Sequence, residues 1–110
     1  MAIIHIVLFE WKPTIHLQQV EEACERMLAL REKCIHPSTQ KPYIKMSTGG
    51  RNNSPEGRAS PYTHGFVVEF ESDKDRDYYL NKDPAHLAFV ESILPILQNN
   101  KVLDFVPEVF

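Results

Sequence analysis

The hydrophobic positions of this chain follow two different spacings, and the change from one to the other marks the predicted elements. Apolar residues alternate between two faces over Ile3–Trp11 and again over Thr63–Glu71, which predicts two strands. Both faces of the first strand are apolar, as expected of a strand that is covered on two sides. Between the two strands, apolar residues recur every three or four positions from His16 to Cys34. This spacing predicts an amphipathic helix that ends before Pro37.

Shorter patterns and cap residues predict the remaining elements. Tyr43–Met46 is a weaker strand. The segment Ser47–Pro61, rich in glycine, asparagine and proline, is predicted to be a long loop that can carry a ragged strand end. Ser72 is expected to cap a short helix that finishes at Leu80.

A further helix and a last strand are predicted after Leu80. Asp83 is expected to cap this helix, with Pro84 at its first position, where a missing N–H costs nothing. Its apolar stripe consists of His86, Phe89, Val90, Ile93 and Leu97. The last strand runs from Val102 to Val106.

The predicted order of elements is β-α-β-β-α-α-β in a single domain, residues 1–110. Such an order is typical of an α+β sandwich of the ferredoxin-like type. The helices of this fold cover only one face of a four-stranded sheet. The other face is also apolar here, so we expect a second copy to cover it, which makes a homodimer.

Charge and composition exclude several classes of partner. The net charge is -3, with acidic and basic residues scattered, so nucleic acid is not an expected partner. The longest apolar run, Ala2–Phe9, is too short to span a bilayer, and no basic segment precedes it as in a secretory signal. Cys24 and Cys34 are ten positions apart in one predicted helix, beyond bridging distance. Two reduced thiols are expected, and a cytoplasmic location with them.

Three histidines occur in segments that are predicted to be buried: His5, His64 and His86. Weakly basic groups in apolar segments suggest a lined pocket, although each histidine can instead serve only to hydrogen-bond a neighbour. Three imidazoles can bind zinc, but no carboxylate clearly supports them, so we predict no metal site. The chain has no G-x-G-x-x-G motif and no phosphate-binding loop, and no cofactor is predicted.

Several fragments of the sequence together resemble the Dabb family, the stress-responsive dimeric α/β barrels. They are Ile4-His5-Ile6-Val7-Leu8-Phe9, Asn53-Ser54-Pro55-Glu56, Tyr62-Thr63-His64-Gly65-Phe66, Phe70-Glu71-Ser72, Asp83-Pro84-Ala85-His86 and Leu103-Asp104-Phe105. Each fragment alone is modest, but their order and spacing are specific. The resemblance implies a homodimer whose two sheets close into a barrel.

Within this family the chain is similar to olivetolic acid cyclase, a cofactor-free enzyme that folds a linear polyketide by aldol condensation. The resemblance implies a catalytic histidine at His86, in Pro84-Ala85-His86, and a catalytic tyrosine at Tyr79, with Tyr78 as a close second. One extra residue separates this tyrosine from the histidine. The resemblance also places His5 and His64 in the pocket, and Phe66, Tyr78 and Phe89 complete the expected lining.

The chemistry of an aldol cyclisation suits these residues. Burial would keep His86 neutral and able to accept a proton, and the phenol of Tyr79 would donate to the developing oxyanion. The reading we favour is a dimer that binds a small apolar or aromatic acid, with cofactor-independent cyclase or lyase activity left open. The alternatives are a non-catalytic stress-responsive dimer and a cofactor-free monooxygenase.

Overall fold

A computed structural model describes all residues, 1–110, and shows the predicted order of elements. The seven elements are β1 (Ile3–Trp11), α1 (Leu17–Lys33), β2 (Ile44–Arg51), β3 (His64–Phe70), α2 (Asp73–Asn81), α3 (Pro84–Ile93) and β4 (Leu97–Phe105). They form an α+β fold of the ferredoxin-like type, with one antiparallel sheet and three helices. The predicted fold class is therefore confirmed.

The sheet has the strand order β2-β3-β1-β4, so β1 lies in the interior and β4 at an edge. His5 of β1 stands opposite Val68 of β3 on one side and Asp104 of β4 on the other. Along β1, His5, Val7 and Phe9 are buried under the helices, whereas the residues between them face the other side of the sheet. This register brings β1 and β4 together beneath α2 and α3.

Both predicted helix caps are present. The Ser72 hydroxyl accepts a hydrogen bond from the Asp75 amide at 3.2 Å and begins α2. The Asp83 carboxylate accepts one from the Ala85 amide at 2.9 Å and begins α3, with Pro84 in its first turn. Because these caps set where α2 and α3 start, they also set which residues of the two helices face the sheet.

Strand β2 is longer than the sequence predicted. It runs to Arg51, which pairs with His64, so the loop expected from Ser47 onward was wrong over its first part. The glycines there were interpreted as turn signals, but Gly49 is needed inside the strand because a side chain packs against it. A Cβ atom at Gly49 would lie 2.2 Å from Cδ2 of Phe66, so only glycine lets the strand pass over that ring.

The last strand also begins earlier than expected. The apolar stripe of α3 stops at Ile93, and Leu97, predicted to continue it, instead starts β4 opposite Trp11. The first half of β4 is polar and largely exposed, which is tolerated because an edge strand is covered less than an interior one. Hydrophobic alternation did not predict this part of the strand because its residues are mainly polar.

The face of the sheet opposite the helices is apolar and uncovered. Ile4, Ile6 and Leu8 of β1 lie on it, each half-buried. Leu103 and Phe105 of β4 stand beside them and are 60% and 41% exposed. No helix of the chain is long and apolar enough to cross a membrane.

Candidate functional site

A cavity of about 180 Å³ lies between the edge of the sheet at β1 and β4 and the helices α2 and α3 above it. Its walls are mainly apolar, and its lining comprises His5, Val7, Phe9, Met27, Tyr79, Leu80, His86, Phe89, Val90, Ile93, Leu94, Leu97, Asn100 and Val102. Few polar groups reach such a site, so those that do determine what it can bind. The structure brings together four of the residues predicted for the pocket: His5, Tyr79, His86 and Phe89.

Tyr79 and His86 form a stacked pair at the junction of the two helices. Their ring centroids are 3.8 Å apart, with an angle of 27° between the ring planes. Tyr79 lies in the last part of α2 and is fully buried, and His86 is the third residue of α3. Only two residues, Lys82 and Asp83, connect the two helices, and the two rings meet across this junction.

Each ring of this pair carries a buried polar atom without a partner. The Tyr79 hydroxyl oxygen and His86 Nδ1 make no hydrogen bond with the rest of the chain. Burial lowers the pKa of His86 to about 4, and His5 adds to this effect, while the Tyr79 backbone and Asp83 oppose it. Burial also raises the pKa of Tyr79 well above its ordinary value. At neutral pH the pair is therefore a neutral imidazole beside a neutral phenol.

His5 is held in place by a charged pair. Its Nδ1 lies 2.6 Å from an Asp104 carboxylate oxygen, and the other oxygen of that carboxylate accepts from Arg76 at 3.0 Å. The bond at Nδ1 fixes which ring nitrogen is left for the cavity, namely Nε2. The His5 ring also contacts the edge of Tyr79, at 6.0 Å between centroids. Tyr79 thus contacts both histidines, His86 in a stacked arrangement and His5 in a T-shaped one.

His64 does not line this cavity. Its Nδ1 lies 3.1 Å from the Trp11 indole nitrogen, which donates to it, and 2.8 Å from the Thr63 hydroxyl. Burial, with a contribution from Arg51, lowers the pKa of His64. The residue faces an open, largely polar cleft at the other end of the strands. The prediction placed it on the correct face of β3, but the structure does not bring it into one cavity with His5 and His86.

Phe66 and Tyr78 also lie outside the cavity lining. Phe66 is buried in the core against Phe9, with 5.6 Å between ring centroids. The side chain of Tyr78 packs on Tyr43, at 5.8 Å, on the far side of α2. Adjacent positions of a helix point about 100° apart, so only Tyr79 of the two tyrosines faces the cavity.

The structure brings no group of three histidine, cysteine or acidic residues close enough to hold a metal ion. His64 is the reason that the three predicted histidines do not meet, since it belongs to the cleft beside Trp11. The two cysteines, Cys24 and Cys34, are free. Burial raises their pKa values to about 11 and about 12, which keeps both as thiols.

Sequence reasoning missed Asp104 and Asn100. Both lie on the helix-facing side of β4, opposite His5 and Phe9 respectively. A signal was present for Asp104, because it lies two positions after Val102, on the strand face that would otherwise be apolar. A charged residue at such a position calls for a buried partner. Asn100 was missed because the predicted last strand began only at Val102, whereas β4 begins at Leu97.

Comparison with known proteins agrees with this architecture. Residues 3–107 match the model of the stress responsive A/B barrel domain, Dabb. Among curated proteins, no significant match to this chain exists.

Three solved structures illustrate the likeness. A crystal structure of an Arabidopsis thaliana protein is 27% identical, with a TM-score of 0.82, and the alignment covers 98% of this chain and 97% of that one. The hydroxynitrile lyase from Passiflora edulis is 23% identical, with a TM-score of 0.80 and coverage of 99% and 96%. A dimeric ferredoxin-like protein of unknown function from Thermobifida fusca is 25% identical, with a TM-score of 0.73 and coverage of 96% and 91%. With the family model matching nearly the whole chain, the protein belongs to the Dabb family.

Proposed function

We propose that this chain is a homodimeric, cofactor-independent lyase or cyclase that acts on a small apolar carbonyl compound. The observation that carries the proposal is the stacked pair of His86 and Tyr79 beside an apolar cavity, each with an unpaired polar atom. Buried polar atoms in a folded protein nearly always have a partner. Two exceptions on adjacent rings at the wall of a cavity are expected where a ligand or its bound water supplies the missing bonds.

The size of the cavity limits the ligand. A dry, apolar cavity of about 150 Å³ in another protein binds benzene. The present cavity, at about 180 Å³, suits one six-membered ring or a chain of similar volume. A small aromatic acid or a short β-keto acid satisfies both the volume and the apolar walls, with its oxygens toward His5, His86 and Asn100.

The first chemical step that this arrangement supports is proton removal next to a carbonyl. The neutral His86 imidazole accepts the proton from the carbon between two carbonyl groups. The electron pair of the broken C–H bond moves onto the adjacent carbonyl oxygen, to which Tyr79 donates a hydrogen bond. A pKa of about 4 makes His86 a weak base in the empty site. The developing enolate raises that pKa because its negative charge favours the imidazolium ion.

The second step makes or breaks a carbon–carbon bond. In the forward direction the enolate carbon attacks a carbonyl carbon of the same molecule, and the resulting alkoxide takes the proton back from His86. Run in reverse, the same steps cleave a β-hydroxy carbonyl compound, as a lyase does. His5, held by Asp104, is positioned to orient the second carbonyl group. No oxidant, reductant or cofactor is needed to balance either direction.

Dimerisation is part of the proposal. The uncovered face of the sheet carries Leu103 and Phe105, and exposed apolar patches of this kind mark contact sites. The related protein from Thermobifida fusca is dimeric. A second copy, packed sheet to sheet, would cover this face and leave the cavity, on the opposite side, open to a ligand. The free thiols of Cys24 and Cys34 support a cytoplasmic location, which stays a prediction.

The test compares His86→Asn with His64→Asn, since the second histidine is outside the cavity. Wild type and both variants are screened by thermal shift against β-keto acids, resorcylic and other phenolic acids, and fatty acids. A ligand at 100 times its Kd adds ~2.7 kcal/mol, which raises the Tm by roughly 10 °C or more. Turnover of the compounds that bind is then followed.

We expect binding and turnover in wild type and His64→Asn, and a loss of turnover of ~10²–10⁴-fold in His86→Asn. If compounds bind but neither wild type nor either variant turns them over, the non-catalytic dimer is favoured instead. An absence of binding, or equal turnover in His86→Asn and wild type, would contradict the proposal.

A further inference from the structure

A buried carboxylate caps the start of α3, outside the lining of the cavity. Asp83 is only 1% exposed. One of its oxygens accepts from the Ala85 amide at 2.9 Å, and the other accepts from the Tyr43 hydroxyl at 2.5 Å. Both oxygens therefore have fixed partners, and these partners belong to different parts of the chain.

Tyr43 is itself anchored. It directly precedes β2, and its ring stacks on Phe70 of β3, with 6.3 Å between centroids and an angle of 30°. On another side it meets Tyr78 of α2 at 5.8 Å. The Tyr43–Asp83 bond thus ties the first turn of α3 to the sheet and to α2.

A carboxylate is more than this helix start needs. A serine at position 83 would accept from the Ala85 amide without burying a charge. Burial of a carboxylate is unfavourable unless several hydrogen bonds satisfy it. What Asp83 adds is the second oxygen, and that oxygen is used by Tyr43. The extra interaction therefore serves to link two elements rather than to begin a helix.

His86 follows Asp83 by three residues, within one turn of the helix. The rotation of that turn sets the direction of the imidazole, because residues three apart lie on neighbouring positions of the helix surface. We propose that the Tyr43–Asp83 hydrogen bond is a clamp that positions His86 against Tyr79 in the cavity. The catalytic consequence of the clamp rests on the function proposed above. Neither Tyr43 nor Asp83 lines the cavity, so both are positioning residues.

The main test is Tyr43→Phe, which removes one hydroxyl and keeps the charge of Asp83. The titration of His86 is followed by NMR in the ligand-free protein, with Tyr62→Phe as the control. The Tyr62 hydroxyl accepts only one long hydrogen bond, from Asn99 at 3.4 Å, and no residue of α3 takes part in it. With the clamp broken, the first turn loosens and water reaches His86, so its pKa rises from about 4 toward 6.5. Tyr62→Phe is expected to leave it unchanged.

A second variant, Asp83→Ser, keeps a cap for α3 but is too short to reach Tyr43. It also removes a charge that favours the protonated form of His86, so its readout is the ring-proton shift rather than the pKa. Stacking on Tyr79 at 3.8 Å shields those protons, and loss of the clamp is expected to move them downfield. In wild type, the amides of this first turn are expected to exchange as slowly as the core of α1.

Several results would overturn the clamp. A lower Tm in Tyr43→Phe with an unchanged His86 titration would show that the bond only stabilises the fold. Unshifted His86 ring protons in Asp83→Ser, or rapid amide exchange at the start of α3 in wild type, would do the same. These measurements need no substrate, so they stand apart from the proposed activity. Once a substrate is found, Tyr43→Phe is expected to lower kcat by ~10-fold or more, with KM little changed.

Discussion

Two tyrosines near the start of α3 use the same chemical group in opposite ways. The hydroxyl of Tyr43 is bonded to the buried carboxylate of Asp83. The hydroxyl of Tyr79 is buried with no partner, next to the unpaired Nδ1 of His86. The first arrangement is complete within the chain, whereas the second leaves both atoms without a partner. The function proposed above assigns that partner to a ligand in the cavity.

The histidines repeat this contrast. His64 has its Nδ1 occupied by Trp11 and Thr63, and it lies beside an open polar cleft. His86 has a free Nδ1 in an apolar surrounding. Burial lowers the pKa of both rings, so the shift alone does not separate them. What separates them is that Nδ1 of His86 makes no hydrogen bond, whereas Nδ1 of His64 makes two.

The largest effect is expected from Asp83→Ala. The change removes the cap of α3 and leaves the Tyr43 hydroxyl buried without a partner. We expect a loss of about 3–4 kcal/mol in the free energy of unfolding, measured by denaturant titration. Asp83→Asn is the control and should lose less, because its oxygen still accepts from the Ala85 amide and its NH2 group can donate to the Tyr43 oxygen. Equal stability of Asp83→Ala and wild type would remove the distinction between the bonded Tyr43 and the unpaired Tyr79.

Removing the hydroxyl of Tyr43 and of Tyr79 is expected to change the free energy of unfolding in different ways. Tyr43→Phe removes a hydroxyl that is bonded to a charged group and should cost about 1.5–3 kcal/mol. Tyr79→Phe removes an unpaired buried hydroxyl and should be neutral or stabilise by up to about 1 kcal/mol, while abolishing the proposed hydrogen bond to the substrate. Both free energies of unfolding are measured without ligand. A destabilised Tyr79→Phe would mean that its hydroxyl has an internal partner after all.

The pH dependence of stability should report His86. Its pKa is lowered to about 4 in the folded chain, compared with its ordinary value of 6.5, so between these values the unfolded chain binds the extra proton. Stability is then full above pH 6.5 and falls as the pH decreases toward 4, by about 3 kcal/mol. His86→Asn should flatten this part of the profile. The pKa of His64 is also lowered, so His64→Asn measures its share separately.

The smallest effect concerns the thiol of Cys34. It is fully buried near Asp83, and burial together with that carboxylate raises its pKa to about 12. We expect iodoacetamide at pH 8 to label Cys34 only when the start of α3 opens, and Cys24, which is half-buried, sooner. Tyr43→Phe should accelerate the labelling of Cys34 several-fold over wild type. Identical rates would show that the clamp does not control this opening.

Much of the fold followed from periodicity and caps. The alternation over β1 and β3, the spacing of α1, and the caps Ser72 and Asp83 are local signals that need no knowledge of the rest of the chain. The errors came where packing overrides such signals. Gly49 belongs to a strand because a ring lies against it, and the polar start of β4 is a strand because β1 pairs with it.

For the candidate site, the sequence by itself determined which groups are available: three histidines in apolar segments, and a tyrosine and a histidine at the ends of two short helices. Only the tertiary structure decided which of them meet. His64 was separated from the others by its position along β3, and His5 acquired Asp104 from a strand 99 positions later. The reason is physical: local patterns set the face on which a side chain lies. The register between strands depends on partners that are distant in the chain. Such partners also decide whether each polar atom makes a hydrogen bond.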